Sequence, residues 1–352
     1  MCTKIRVRIN KKFIVSKRTA AIQNLEGERK SKIICYLTGD RPQFPTQVNE
    51  EIIPILLRHL DLIGPQENID LLLYTRGGDG VVPVRIVKLI RNYCKKFSVI
   101  VPYRCHSAGT LICLGADEIV MTKIAELTPV DPSAQNHPFN PKTPANPATP
   151  GMPAATLPVS VEDVSSYLLF AKEILKAKDS EVVDLYAKMT INNQLHPLAL
   201  GNVYRAQKMG KYIARKLLDL HSKTNGGLSE KTIENIIKEI TEIIAIHNYP
   251  LYLDEVQKLG LSAIPPKTKT EEDLIWNLFT LFSEEMKLNV PFSPLDELGA
   301  NAMATGNCTA AIIESEKAQD IFDISYQVNK IPIPNQPVVN MALTKMEWKK
   351  VV

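Results

Sequence analysis

Between residues 32 and 122, short apolar runs alternate with stretches whose apolar residues recur at helical spacing. Lys32 to Gly39 (KIICYLTG) is rich in β-branched and aromatic residues and predicts a strand. Residues 48–63 (VNEEIIPILLRHLDLI) predict a helix, with Pro54 confined to its first turns. Ile69 to Thr75 (IDLLLYT) is a continuous apolar run, the pattern of a strand covered on both faces, and it ends in the turn Arg76-Gly77-Gly78-Asp79-Gly80. Residues 81–94 predict the next helix, with Pro83 tolerated in its first turn. Phe97 to Pro102 predicts a further strand, 107–116 (SAGTLICLGA) a small apolar helix, and 118–122 (EIVMT) another strand. The repeat predicts an α/β fold with a largely parallel sheet. In such sheets active sites gather beyond the carboxyl ends of the strands, where both the diglycine turn and Ser107 fall.

The pattern then changes. Residues 132–158 are crowded with proline, which removes donors and fixes φ, so they predict an extended surface segment, either a linker or an active-site cover. Helical spacing returns over 161–179, 199–223 and 228–245, with Asn225-Gly226-Gly227 separating the last two and Ser229 as an N-cap. From Pro265 the chain is less regular, and 310–328 (AAIIESEKAQDIFDISYQV) predicts a hairpin of two strands. This gives an N-terminal extension at 1–30, a main domain at 31–264 and a small C-terminal appendage at 265–352.

Composition narrows the class. Hydrophobic residues make up 45% and charged residues 23% of the 352, enough for one large core. The net charge of +4 is spread among acids, which argues against a nucleic-acid binder. Six cysteines show no CxxC spacing and several lie in apolar runs, the usage of a reduced, cytoplasmic protein. No stretch reaches the about 18 apolar residues of a membrane span, and the first 20 residues lack a signal-peptide core. The expectation is a soluble chain.

Two elements carry chemistry. Ser107, in His106-Ser107-Ala108-Gly109, falls at a strand-to-helix turn, where its hydroxyl is exposed beside the free N–H groups of a helix start. Gly77-Gly78 lacks a Cβ, so its backbone N–H can approach a bound carbonyl closely. A nucleophile with two donors aimed at a developing oxyanion is what amide hydrolysis requires. A tight turn and a helix cap have the same appearance. No metal spacing joins His196, His221 and His247, and neither a P-loop nor GxGxxG is present, so no cofactor is expected.

TRGGDG (75–80), followed by VPYRCHSAGTLICLGADEIVMTKIAELTPVDPSAQ (101–135), resembles the serine dehydrogenase proteinase family, relatives of the Clp protease proteolytic subunit and signal peptide peptidase A. His247-Asn248-Tyr249-Pro250 and EVQKLGL resemble its later motifs, so the similarity extends over roughly 30–263. The resemblance implies a Clp/crotonase-like ββα spiral, with Ser107 as nucleophile and Gly78 and Ala108 as oxyanion-hole donors; Gly77 and His106, which adjoin them, are candidate substrate contacts, with a structural role as the alternative for His106. It also implies a peptide or protein substrate and a homo-oligomer. The base departs from the pattern. Where the Clp subunit has a histidine this chain reads TPVDP, with Asp131 suited to holding the turn and His137 already in the proline-rich segment. Where signal peptide peptidases have a lysine the alignment gives Arg205, which stays protonated, with Lys208 and Lys211 along the same helix face. Lys208 and His247 are the candidate bases; Asp79 and Glu126 read as turn and surface residues. The expected function is therefore a serine hydrolase, with a catalytically inactive relative serving binding or assembly as the alternative. Acyl-CoA chemistry of the crotonase type lacks its acidic residues here.

Overall fold

A computed structural model describes residues 17–130, 138–140, 142, 157, 161–191, 196–221, 227–244, 248–333 and 336–351. Helix α1 (17–29) precedes the sheet. The alternating region then forms β1 (Lys32–Thr38), α2 (Ile52–Ile63), β2 (Gln66–Tyr74), α3 (Val82–Arg91), β3 (Cys94–Val101), β4 (Arg104–Cys105), α4 (Ala108–Leu114), β5 (Glu118–Met121) and β6 (Glu126–Leu127). Helices α5 (Val161–Glu173), α6 (Asp179–Ile191), α7 (Pro197–His221) and α8 (Glu230–Lys238) follow, the last running into a π-helical turn at Glu239–Ile243. Then come α9 (Leu253–Lys258), β7 (Ala263–Ile264), α10 (Lys269–Met286), α11 (Pro294–Leu298), β8 (Met303–Ser315), β9 (Gln319–Ile333) and β10 (Gln336–Lys350).

Strict alternation along the central strands explains their unbroken apolar sequences. In β2, Ile69, Leu71 and Leu73 join one core and Leu72 and Tyr74 the other; in β1, Ile34 and Tyr36 oppose Ile33, Cys35 and Leu37. The first core is closed by α2, α3, α4, α7 and α8, the second by α1 and α10. Under the second face the Arg29 guanidinium bonds Asp70 and Glu271 and lies 3.3 Å from Glu118, tying α1, two strands and α10 together.

The α/β class holds, but the sheet is mixed rather than largely parallel. Its order is β10-β9-β8-β1-β2-β3-β5-β7. Strands β1, β2, β3, β5 and β7 run parallel, whereas β8 pairs antiparallel with β1 and β9 and β10 continue antiparallel. Direct reversals require antiparallel pairing, and the free edge of β1 accepts the first of them. The expected two-stranded hairpin near the C-terminus is thus a three-stranded meander on the edge of the main sheet. The helix expected over 161–179 ends early as α5 at Glu173, followed by Lys176 at φ 57°, and α6 over 179–191 is a helix that the sequence reading did not delimit. Ser229 does cap α8, accepting from the Thr232 N–H at 3.1 Å. Asn225 and Gly226 of the expected break lie outside the described residues. So does most of the proline-rich segment. Among the described residues no helix is long and apolar enough to cross a membrane.

Candidate active site around Ser107

Strand β2 ends at Tyr74, and Thr75 continues it by one bridge to Cys105. The Thr75 N–H donates to the Arg104 carbonyl and the His106 N–H to the Thr75 carbonyl, both at 3.0 Å. These bonds carry the chain to the start of α4, where Ser107 occupies the N-cap at φ 50° and ψ −105°. A side chain with a Cβ at positive φ costs about 1–3 kcal/mol and persists only where the surroundings over-determine it. Here they do. The Ser107 N–H donates to Thr128 Oγ1 at 2.9 Å, and its carbonyl accepts from the Leu111 N–H at 3.1 Å. Thr110 Oγ1 donates to the Thr128 carbonyl at 2.8 Å, fastening α4 to the segment after β6. That segment is held in turn by paired bonds between Leu127 and Leu251.

The diglycine turn lies directly against this serine. A Cβ at Gly77, which has φ 110°, would stand 2.9 Å from Ser107 Cβ and 3.4 Å from its Oγ. Gly77 is fixed on both sides, its N–H donating to Thr75 Oγ1 at 3.0 Å and its carbonyl accepting from the Val48 N–H at 2.8 Å. The Asp79 N–H returns a bond to the Val48 carbonyl at 2.9 Å, so Gly78 runs alongside the Val48 backbone, leaving no space for a side chain. Asp79 accepts from the Val81 N–H at 2.8 Å, a turn residue as expected. Neither the Gly78 nor the Ala108 N–H has a hydrogen-bond acceptor among the described residues.

His106 is engaged by Glu126. Its Nε2 lies 3.0 Å from Glu126 Oε1, so Nε2 carries the proton that the carboxylate accepts. Burial pushes the imidazole down to about 4, with Arg76 adding to the effect and the Glu126 bond opposing it. The ring is therefore neutral at pH 7. Glu126 is a partner of His106 and Arg104, not only a surface residue. At the same rim Asp40 receives Arg76 Nε at 2.8 Å, Tyr74 Oη at 2.9 Å and Arg104 Nη1 at 3.1 Å. Burial alone would raise the Asp40 carboxyl, but the bonds from Arg76 and Tyr74 hold it below its usual value.

The candidate bases are placed differently. Lys208 is exposed on α7, its ammonium 4.8 Å from the centre of the Tyr204 ring. Arg205 is also exposed, and Lys211 is paired with Glu242. His247, Asp131 and His137 lie outside the described residues. The Ser107 hydroxyl has no hydrogen-bond partner among the described residues. No group of three or more His, Cys, Asp or Glu among them could hold a metal ion. Sequence reading missed Thr128, Thr75 and Val48, which fix the turn. Nothing in TPVDP or PTQVN marks Thr128 or Val48, because their role exists only through partners distant along the chain.

Similarity to known proteins coincides with this site. The chain matches an uncharacterized protein of Methanocaldococcus jannaschii at 30% identity over 136 residues, 36% of this chain and 46% of the relative. A second uncharacterized protein of that organism is 25% identical over 236 residues, 66% of this chain and 64% of the relative. The chain thus spans less than two thirds of the length of either. Residues 3–143 match the family model described as ClpP-like SDH-type serine proteinase. This interval includes Gly77, Gly78, Ser107 and Thr128, but neither Lys208 nor His247. Over residues 3–143, therefore, the chain is similar to the ClpP-like SDH-type serine proteinases, the family that its diglycine turn and SAGTL segment resemble.

Proposed function

We propose that this protein is a serine hydrolase acting on peptide or protein amide bonds through an acyl-enzyme at Ser107. The observation that carries the reading is the contact between Gly77 and a strained Ser107 at a helix start, with the Gly78 and Ala108 N–H groups unengaged by described residues. Ser107 Oγ attacks the substrate carbonyl while its proton passes to a base. The resulting oxyanion accepts from Gly78 and Ala108, the amine leaves with the proton, and water then releases the acid from the serine ester. His247 and Lys208 are the candidate bases. Lys208 is the weaker, since nothing described desolvates its ammonium as an amine base requires. The similarity to Clp-type proteins favours a homo-oligomeric working form.

A fluorophosphonate probe should label Ser107 in the folded chain, and Ser107→Ala should abolish labelling. Removal of the base through His247→Ala or Lys208→Ala should slow labelling without unfolding. Folded wild-type protein that resists the probe would overturn the hydrolase reading. It would favour the second one, a catalytically inactive binding or assembly protein, to which the missing histidine in TPVDP and Arg205 at the expected lysine also point.

A further inference from the structure

Helix α7 sorts its charges by direction. It carries Arg205, Lys208, Lys211, Arg215 and Lys216 against the single carboxylate Asp219, a local excess as large as the whole chain's +4. The cations nearest the body of the protein are neutralised: Lys211 bonds Glu242, and Arg215 bonds Glu230 and lies 3.5 Å from Asp219. Arg205, Lys208 and Lys216 have no ion pair among the described residues. Tyr204, Lys208, Tyr212 and Lys216 fall at intervals of four residues and so form one row along the helix. Each lysine lies over the tyrosine before it, at 4.8 and 5.4 Å from the ring centres. Both rings are largely uncovered, Tyr204 at 57% and Tyr212 at 61% exposure, and Met209 beside them is half exposed.

We propose that this outer face of α7 docks the protein peripherally on an anionic lipid surface. Unpaired cations meet lipid phosphates and carboxylates, each contributing favourably near a negative bilayer. The tyrosines and Met209 supply the shallow apolar insertion that electrostatics alone lacks. The long lysine and arginine stems allow both contacts at once. A second copy fits the face less well, because a two-fold interface sets the same cations against each other. A nucleic acid would use the charges and the rings but leave Met209 exposed. The inference assigns Lys208 to the outer face and so leaves His247 as the candidate base; otherwise it does not depend on the catalytic reading.

The test is co-sedimentation of the full chain with vesicles of phosphatidylcholine alone and of phosphatidylcholine with phosphatidylserine, at low and high salt. The wild type should pellet with the mixed vesicles, stay in solution with phosphatidylcholine, and be released by salt. Arg205→Gln with Lys216→Gln should weaken partitioning about 30-fold, the expectation for two cations near the surface. Tyr204→Ser with Tyr212→Ser should weaken it without changing its slope against salt. Circular dichroism should show each variant folded, as all four positions lie on the helix surface. A folded wild type that ignores phosphatidylserine, or variants that pellet as it does, would overturn the proposal. So would loss of self-association, or of single-stranded oligonucleotide binding, in the variants with vesicle binding unchanged.

Discussion

Substitution of Gly77 by alanine tests the site through one methyl group. At φ 110° an L-residue is strained, at about 1–3 kcal/mol. The added Cβ would also stand 2.9 Å from Ser107 Cβ and 3.3 Å from the His106 carbonyl oxygen. Carbon atoms prefer a separation of about 3.5–4.0 Å, so something must move by more than about half an ångström. Gly77 cannot yield easily, because its N–H is held by Thr75 and its carbonyl by Val48. Ser107 is held as firmly, by Thr128 and Leu111, so the misfit is shared between the two turns and the serine is displaced with them. A displacement of about 1 Å at a reacting group costs roughly 100-fold in rate. Two further glycines separate the contributions. Gly80 meets nothing within 4 Å and has no positive φ, so Gly80→Ala should leave both stability and labelling intact. Gly64 meets nothing within 4 Å but has φ 73°, so Gly64→Ala should lose about 1–3 kcal/mol of stability while labelling normally. Gly77→Ala should lose comparable stability and also label about 100 times more slowly. The measurements are urea unfolding midpoints and second-order rate constants for a fluorophosphonate probe. A folded Gly77→Ala protein that labels at the wild-type rate would refute the claim that the turn and the serine form one site.

Ser107→Gly should relieve the strain at φ 50° and raise stability by about 1 kcal/mol while abolishing labelling, read by the same two assays. Arg29→Met leaves Asp70 and Glu271 buried without their cation, and urea unfolding should show a loss of about 3–5 kcal/mol. His106 takes its proton near about pH 4 when folded but near 6.5 when unfolded. Between those values the unfolded chain binds more protons, so stability falls as pH drops through the window, by up to about 3 kcal/mol. His106→Gln should remove that part of the pH dependence, measured as unfolding midpoints from pH 7 to 4.

Local pattern was enough for the elements nearest the site. The runs at Lys32–Gly39, Ile69–Thr75 and Phe97–Pro102 became β1, β2 and β3 because their residues are branched, apolar and short in extent, and both faces of each strand are covered. Pro83 fell in the first turn of α3 and Ser229 at the cap of α8, where backbone donors alone dictate the preference. Helix α6 was not legible, since its apolar residues do not keep to one face: Val182 is buried but the adjacent Val183 is exposed, and periodicity needs a single buried face to register.

The sequence alone determined that a serine would stand at a strand-to-helix turn and that a flexible diglycine would follow the preceding strand, because both depend on residues adjacent in the chain. Only the tertiary structure decided that Gly77 abuts Ser107, that Val48 and Thr128 hold the two turns, and that β8 converts a parallel sheet into a mixed one. It also decided that His106 faces Glu126 and that Lys208 faces outward. These outcomes rest on pairing, burial and charge between segments far apart in sequence, and neither spacing nor propensity carries that information.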